Sequence, residues 1–358
     1  MEIDIHKKSN RRITISNKIF KTMMAFCLAC AIGCSNDDLA LSKGNFVIRM
    51  SKDEAAISMK LSASDYAKWN TGSGLELGNV TVITEAIYSI FEDSFDFIIL
   101  ISNNDVNPLD VYSGRLNIAQ NHIVGLGLGL FSRAEEYGSS GRLQSVLHLT
   151  EKDDLVNGPA LHEIMHRWAN YGIIATDELY HWGFSSVGGQ LGGWKEGTLT
   201  SLGGGNYQAN NGLSNGFGTY ANSGNSVPYS NLELYLMGLI PPHEVTSITV
   251  AESPLWTNRS SGTFSASNLR EITIDDITQE HGSRNPDYKS SHKSFRAIVV
   301  ILTVTELTEA EWLFFSKQIY EFSVPGDDGI SNRYNFWEAT GGKAQIIMDN
   351  LKELLRSS

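Results

Sequence analysis

The chain has 358 residues, 41% of them hydrophobic, and a formal net charge of -12, which is enough length and apolar surface to bury a sizeable core. The acidic balance, with no Lys/Arg run after residue 43, excludes a general electrostatic grip on phosphate backbones, so nucleic acid is not an expected partner. All three cysteines, Cys27, Cys30 and Cys34, fall near the start, so the rest of the chain can hold neither a disulfide nor a thiolate-ligated metal. Any metal there must be held by histidines and carboxylates.

At the N-terminus, Arg11, Arg12, Lys18 and Lys21 precede "TMMAFCLACAIG" (22–33), an apolar run of about a dozen residues, too short to span a bilayer comfortably. Residues 1–33 therefore read as a signal peptide. The run closes on "AIGC" (31–34), which resembles the bacterial lipobox, whose Cys is lipidated after cleavage. The following "SNDD" resembles the acidic segment behind that Cys in surface-exposed lipoproteins of Gram-negative bacteria. The resemblance implies a lipid on Cys34, a tether over 34–44 and a place in the cell envelope, first at the outer membrane. A plain secretory signal or a short membrane anchor is the simpler alternative.

From residue 45 to 358 no linker or repeat divides the chain. Short apolar alternation ("FVIRM", "AISMKL") and a helix start at Ser62 suggest an α+β lobe. An amphipathic run then leads into "FDFIILI" (95–101), predicted to be a buried central strand. "HIVGLGLGLF" (122–131) lacks the helix and ribose-binding acid of a dinucleotide fingerprint, so it reads as a strand or tight loop. "LQSVLHLT" (143–150) is a further strand. The Gly/Asn/Ser-rich 183–226 segment is long enough to be a functional loop. "NLELYLMGL", from an Asn231 cap candidate, is a short helix or turn ended by Pro241-Pro242. "RAIVVILTV" (296–304) is a strand, and a capping box, Thr308 to Glu311, opens a helix.

The strongest signal is "ALHEIMHRW" (160–168). On a helix predicted over about 159–171, with Pro159 at its first position and Gly172 after it, Leu161, Ile164, Met165 and Trp168 form an apolar face. His162 and His166, four apart, then share a side and can converge on one ion, with Glu163 beside them. Chance histidines on a helix surface are the bland alternative. "HEIMH" resembles the zincin metallopeptidases, whose twisted mixed β-sheet packs over an active-site helix. The resemblance implies an α+β, zincin-like fold, here with a mostly helical and loop C-terminal subdomain. It implies Zn2+ on His162 and His166 and Glu163 as general base.

The metzincin third-ligand spacing is absent, since its Gly and His positions are Ala169 and Gly172. "TDELYHWGF" (176–184) offers His181, Asp177 and Glu178, and Glu233 lies further on. The nine residues from Gly172 to His181 can span up to roughly 30 Å, and His181 is the expected third ligand because imidazole is a common zinc ligand and the neighbouring aromatics could bury it. The glutamates keep a gluzincin-like site open. Met237 resembles a methionine turn but is equally a core residue. Tyr180, Tyr229 and Tyr235 are available oxyanion donors. The expected activity is zinc-dependent peptide-bond hydrolysis on a protein or peptide substrate. The alternative is a non-catalytic surface lipoprotein that binds a protein or glycan through the loop and exposed Trp182 and Trp194, with a structural zinc or none.

Overall fold

The apolar runs at 95–101, 143–150 and 296–304 become neighbouring strands at the centre of one sheet. The protein is represented by a computed structural model that describes residues 46–108, 111–169 and 172–357; Cys34, the expected signal peptide and the tether lie outside the described residues. The sheet contains β1 (Val47–Met50), β2 (Ala56–Lys60), β3 (Phe97–Ser102), β4 (Gly114–Ile118), β5 (Ser145–Leu149), β6 (Ser294–Thr303) and β7 (Gln345–Ile347). Its order is β1-β2-β6-β3-β5-β4, with β7 beside β6. The inner strands β2, β6, β3 and β5 run parallel, whereas β1 and β4 pair antiparallel at the two edges.

Parallel strands covered on both faces need apolar side chains in succession rather than in alternation. β3 meets that demand: Phe97, Ile99 and Ile101 enter one core cluster while Ile98 and Leu100 enter the other. Helices α1 (Ala63–Asn70) and α2 (Leu77–Tyr88) close the second cluster with Tyr66, Trp69, Val80, Ile83 and Ile87. The first cluster is covered by α3 (Ala160–Met165), α4 (Asn231–Met237), α6 (Glu309–Ser323) and α7 (Phe336–Ala339), with α5 (Ile274–His281) adding Ile277. Leu161, Ile164 and Met165 of α3 are fully buried there, at about 1.5–3 kcal/mol each. That burial fixes which side of α3 is left for chemistry.

The architecture is α+β, but the expected helical and loop C-terminal subdomain is not what forms. Residues beyond α3 supply β6, inserted between β2 and β3, and a separate four-stranded sheet of Thr200–Gly203, Asn206–Gln208, Leu255–Asn258 and Thr263–Ser265. β6 is buried on both faces and can only be satisfied at the sheet's centre, so the late chain returns to the early one. Among the described residues no helix is long and apolar enough to cross a membrane.

The expected 159–171 helix is also shorter. Regular α-helix covers Ala160–Met165, after which the N–H groups of His166, Arg167 and Trp168 bond the carbonyls three residues back, a tightening common at helix ends. Pro159 is the cap residue rather than the first helical one, and has no side-chain acceptor to give. Asn225 supplies it from the distant loop: its Oδ1 accepts the Leu161 N–H at 2.9 Å, and its Nδ2 donates to the carbonyls of Leu155 (2.9 Å) and Val156 (3.1 Å). Tyr229 donates its hydroxyl to the Leu161 carbonyl at 2.9 Å. Asn225 and Tyr229 thus satisfy groups of α3 from outside the helix. α4 in turn starts from Ser230, not Asn231, in a capping box with Glu233, and the Thr308–Glu311 box opens α6 as expected.

Asn225→Ala would leave a buried donor and two carbonyls without their partner and is expected to cost roughly 2 kcal/mol or more. Urea unfolding measures it; a midpoint and slope equal to the parent's would show that water or neighbours replace the cap.

Candidate metal centre

α3 carries His162 and His166 on the side away from the core, with ring centroids 4.9 Å apart and Nε2 atoms facing each other at 3.2 Å. His181 joins them from the 172–182 segment. Its ring lies 5.3 Å from that of His162, nearly stacked, and 5.0 Å from that of His166, edge-on. One ligand nitrogen from each of the three residues lies within 4.8 Å of the others. The structure therefore brings the three predicted histidines together, although they come from two separate segments.

Two backbone carbonyls orient the rings. His162 Nδ1 donates to the Gln190 carbonyl at 2.9 Å, and His181 Nδ1 donates to the Leu179 carbonyl at 2.8 Å. A carbonyl only accepts, so each Nδ1 carries the proton and each Nε2 keeps a free lone pair. Burial lowers the His162 pKa to about 4 and places that of His166 well below its ordinary value; that of His181 is lowered too, again chiefly by burial. All three rings are neutral at pH 7, the form in which imidazole binds a cation.

Glu163, between the two helical histidines, is buried and its pKa is pushed up to about 8 by that burial, with Arg115 opposing. The edge strand β4 passes directly over it. A Cβ on Gly114 would lie 2.6 Å from Cγ of Glu163 and 2.9 Å from Cγ of Pro159, so only glycine lets the strand approach this closely. A cavity of about 210 Å³ opens beside His181, lined in part by Ala169, Ile173, Ile174, Leu179 and Trp182.

The alternatives to His181 are placed elsewhere. Glu233 is fully buried and accepts from four N–H groups, among them the Trp182 indole at 2.9 Å. Asp177 turns toward its own loop, where its Oδ1 faces the Phe184 N–H at 3.5 Å. Glu178 bonds Tyr220 and thereby raises the pKa of that phenol. Tyr229 and Tyr235 are committed to the Leu161 carbonyl and the Arg284 N–H, and Tyr180 sits beside His181 with φ of 63°. Met237 is buried in the core with its carbonyl bonded to Arg284. Trp182 and Trp194, expected as exposed binding aromatics, are both buried: Trp182 in the main core with its indole on Glu233, and Trp194 against Phe217 and Phe264 in the core of the small sheet.

Three contributors were absent from the sequence reading. The Gln190 and Leu179 carbonyls carry no residue-type signal. Tyr220 packs edge-on against His181 at 5.0 Å with its ring open to solvent, 39 positions further along a Gly/Asn-rich segment with no helical or strand period. Only the placement of that segment beside the motif could have singled it out. No family model, no curated protein and no solved structure matches this chain.

In the metal-free protein the buried groups pull stability in opposite directions. The His162 pKa is depressed on folding, so its contribution is present above its ordinary 6.5 and is lost as pH falls through about 4. Glu163 and Asp154 are raised, to about 8 and about 7, so their contribution is full at acid pH and is lost as pH rises through those values. The histidines of the unfolded chain have nearly finished titrating by about pH 7.5, so between about pH 7.5 and 8.5 the carboxyls dominate and the unfolding free energy is expected to fall. Urea titrations with chelator present at stepped pH test this; a rise across that window contradicts the buried state of Glu163.

Proposed function

We propose that this chain is a zinc-dependent peptidase of the zincin type, exported and held in the cell envelope, at the outer membrane, by lipid on Cys34. The observation that carries the catalytic part is the convergence of His162, His166 and His181 with Glu163 beside them. The residues fit the ion. Two nitrogens bound at 2.0–2.1 Å to a tetrahedral zinc lie about 3.3 Å apart, and the His162 and His166 Nε2 atoms stand at 3.2 Å. Three neutral imidazoles leave a fourth position open, the pattern of catalytic rather than structural zinc. The all-imidazole set favours a metzincin-like ligand chemistry, reached here by a different spacing.

When bound, zinc supplies Lewis acidity toward a carbonyl oxygen and makes water a nucleophile near neutral pH. Positive charge held by the neighbouring imidazoles favours the carboxylate form of Glu163 against the effect of burial. Glu163 takes the proton of the attacking water and returns it to the departing amine as the C–N bond breaks, with no acyl-enzyme. β4 is the terminal strand of the sheet, and an extended peptide paired along it would run past Glu163 at Gly114. The cavity beside His181 offers space for one side chain of that peptide. The rival binding-protein reading loses its two aromatic candidates, since Trp182 and Trp194 are buried.

Glu163→Gln is expected to keep its zinc and lose about 10²- to 10⁴-fold in turnover, whereas His181→Ala is expected to lose the metal. Zinc content by mass spectrometry and cleavage of quenched peptide libraries measure both. A folded parent without affinity for zinc would overturn the assignment, and full activity in Glu163→Gln would remove the role given to that carboxylate.

A further inference from the structure

Glu233 was a rival candidate for the metal, yet its carboxylate faces four donors and no cation. Oε1 accepts from the Trp182 indole N–H at 2.9 Å and from the Leu191 N–H at 3.0 Å; Oε2 accepts from the Gln190 N–H at 3.1 Å and from the Ser230 N–H at 2.8 Å. All four partners can only donate, and two acceptances on each oxygen use a carboxylate's capacity fully. Gly189 makes the arrangement possible, because a Cβ there would lie 1.9 Å from Oε2.

The Leu191 N–H and the Gln190 C=O belong to one planar peptide group. Its N–H side meets Glu233 at 3.0 Å and its C=O side accepts from His162 Nδ1 at 2.9 Å. Hydrogen bonds in a chain polarise one another, so the carboxylate strengthens the carbonyl as an acceptor for the imidazole N–H. Metal-binding histidines commonly lean on a carboxylate or a carbonyl in this way; here the two are placed in series. A second arm runs to the other ligand segment, since Trp182 follows His181 and its N–H bonds the Leu191 carbonyl at 2.9 Å.

We propose that Glu233 is the positioning residue of the centre: through the Gln190–Leu191 peptide it fixes the His162 tautomer with Nε2 free, and through the Trp182 indole it holds the chain bearing His181. The inference rests on the zinc reading above. It assigns no contact with substrate or metal to Glu233.

Glu233→Gln keeps the size but replaces one acceptor oxygen with an amide that opposes two N–H groups. Zinc affinity, measured on the purified chain by competition with a chromophoric chelator, is expected to weaken about 10- to 100-fold. Imidazole nitrogen NMR of the metal-free chain is expected to show His162 as the Nδ1–H tautomer in the parent and as a mixture in the variant. Trp182→Phe removes one donor only and is expected to weaken zinc several-fold, which keeps a test available where Glu233→Gln does not fold. Ser230→Ala removes the hydroxyl that accepts the Glu233 N–H at 3.3 Å but leaves all four donors to the carboxylate, so it is expected to lower Tm without changing zinc affinity. Parent-like affinity in both Glu233→Gln and Trp182→Phe overturns the proposal, as does an equal affinity loss in Ser230→Ala. A parent that binds no zinc instead overturns the peptidase assignment, and the tautomer readout still decides the link from Glu233 to His162.

Discussion

Two hydrogen bonds to backbone carbonyls, from His162 to Gln190 and from His181 to Leu179, decide which nitrogen two of the three histidines present to the centre. A free imidazole exchanges its proton between both nitrogens, and a ligand set in which any ring presented N–H would repel a cation. Pinning the Nδ1 protons of His162 and His181 on carbonyls turns their Nε2 lone pairs inward before any ligand arrives, whereas the buried Nδ1 of His166 has no such partner. The rest of the molecule can be understood as what holds those carbonyls in place against α3. One belongs to the ligand's own turn, which needs little support. The other lies 28 residues from His162, in a segment that must be carried to the helix and kept there.

Rigid elements provide the frame for that segment. Leu161, Ile164 and Met165 of α3 are buried in the first core cluster, so the helix cannot turn about its axis without exposing them. With that face fixed, the face carrying His162 and His166 is fixed as well. β4 closes one side of the centre, and the absence of a side chain at Gly114 sets how closely a sheet edge can approach a carboxylate. The opposite side is closed by irregular chain, where Asn222 donates to the Gly189 and Gly193 carbonyls at 3.1 and 2.8 Å and so ties the Gly/Asn-rich segment to the turn bearing Gln190.

What was legible in the sequence was local. Apolar succession marked β3, β5 and β6, the 3.6-residue period marked the buried face of α3, and the spacing of His162 and His166 marked a shared side. The Thr308–Glu311 box marked a helix start because both partners lie within one turn. What was not legible was set by distant contacts. The place of β6 between β2 and β3 follows from burial on both faces, which its composition allowed but did not locate. The cap of α3 comes from Asn225, 64 residues from Leu161, and Pro159 reads from sequence as a first helical residue because that is where proline usually helps. His181 was one of several reachable candidates, and its approach to His162 and His166, with Glu233, Asp177 and Glu178 turned to other partners, follows from long-range packing that the sequence does not display. Nothing local shows that a small second sheet encloses Trp194 in its own aromatic core, or that Trp182 turns into the main core onto Glu233.

The charge state of the centre ties these observations together. Burial disfavours every ionised form, so the histidines are kept neutral and Glu163 is held toward its neutral acid at the same time. Neutral rings are ready ligands, but a neutral acid cannot serve as a base. Under the proposed function a cation among the Nε2 atoms reconciles the two demands, since its charge would stabilise the Glu163 carboxylate without displacing protons from His162 or His181. A pair of surface histidines on a solvated helix would show none of this coupling, because in water their pKa values and that of a neighbouring glutamate stay near their ordinary positions. The same burial makes the centre costly to charge, and it arises from the way β4, α3 and the 172–192 segment pack around these side chains.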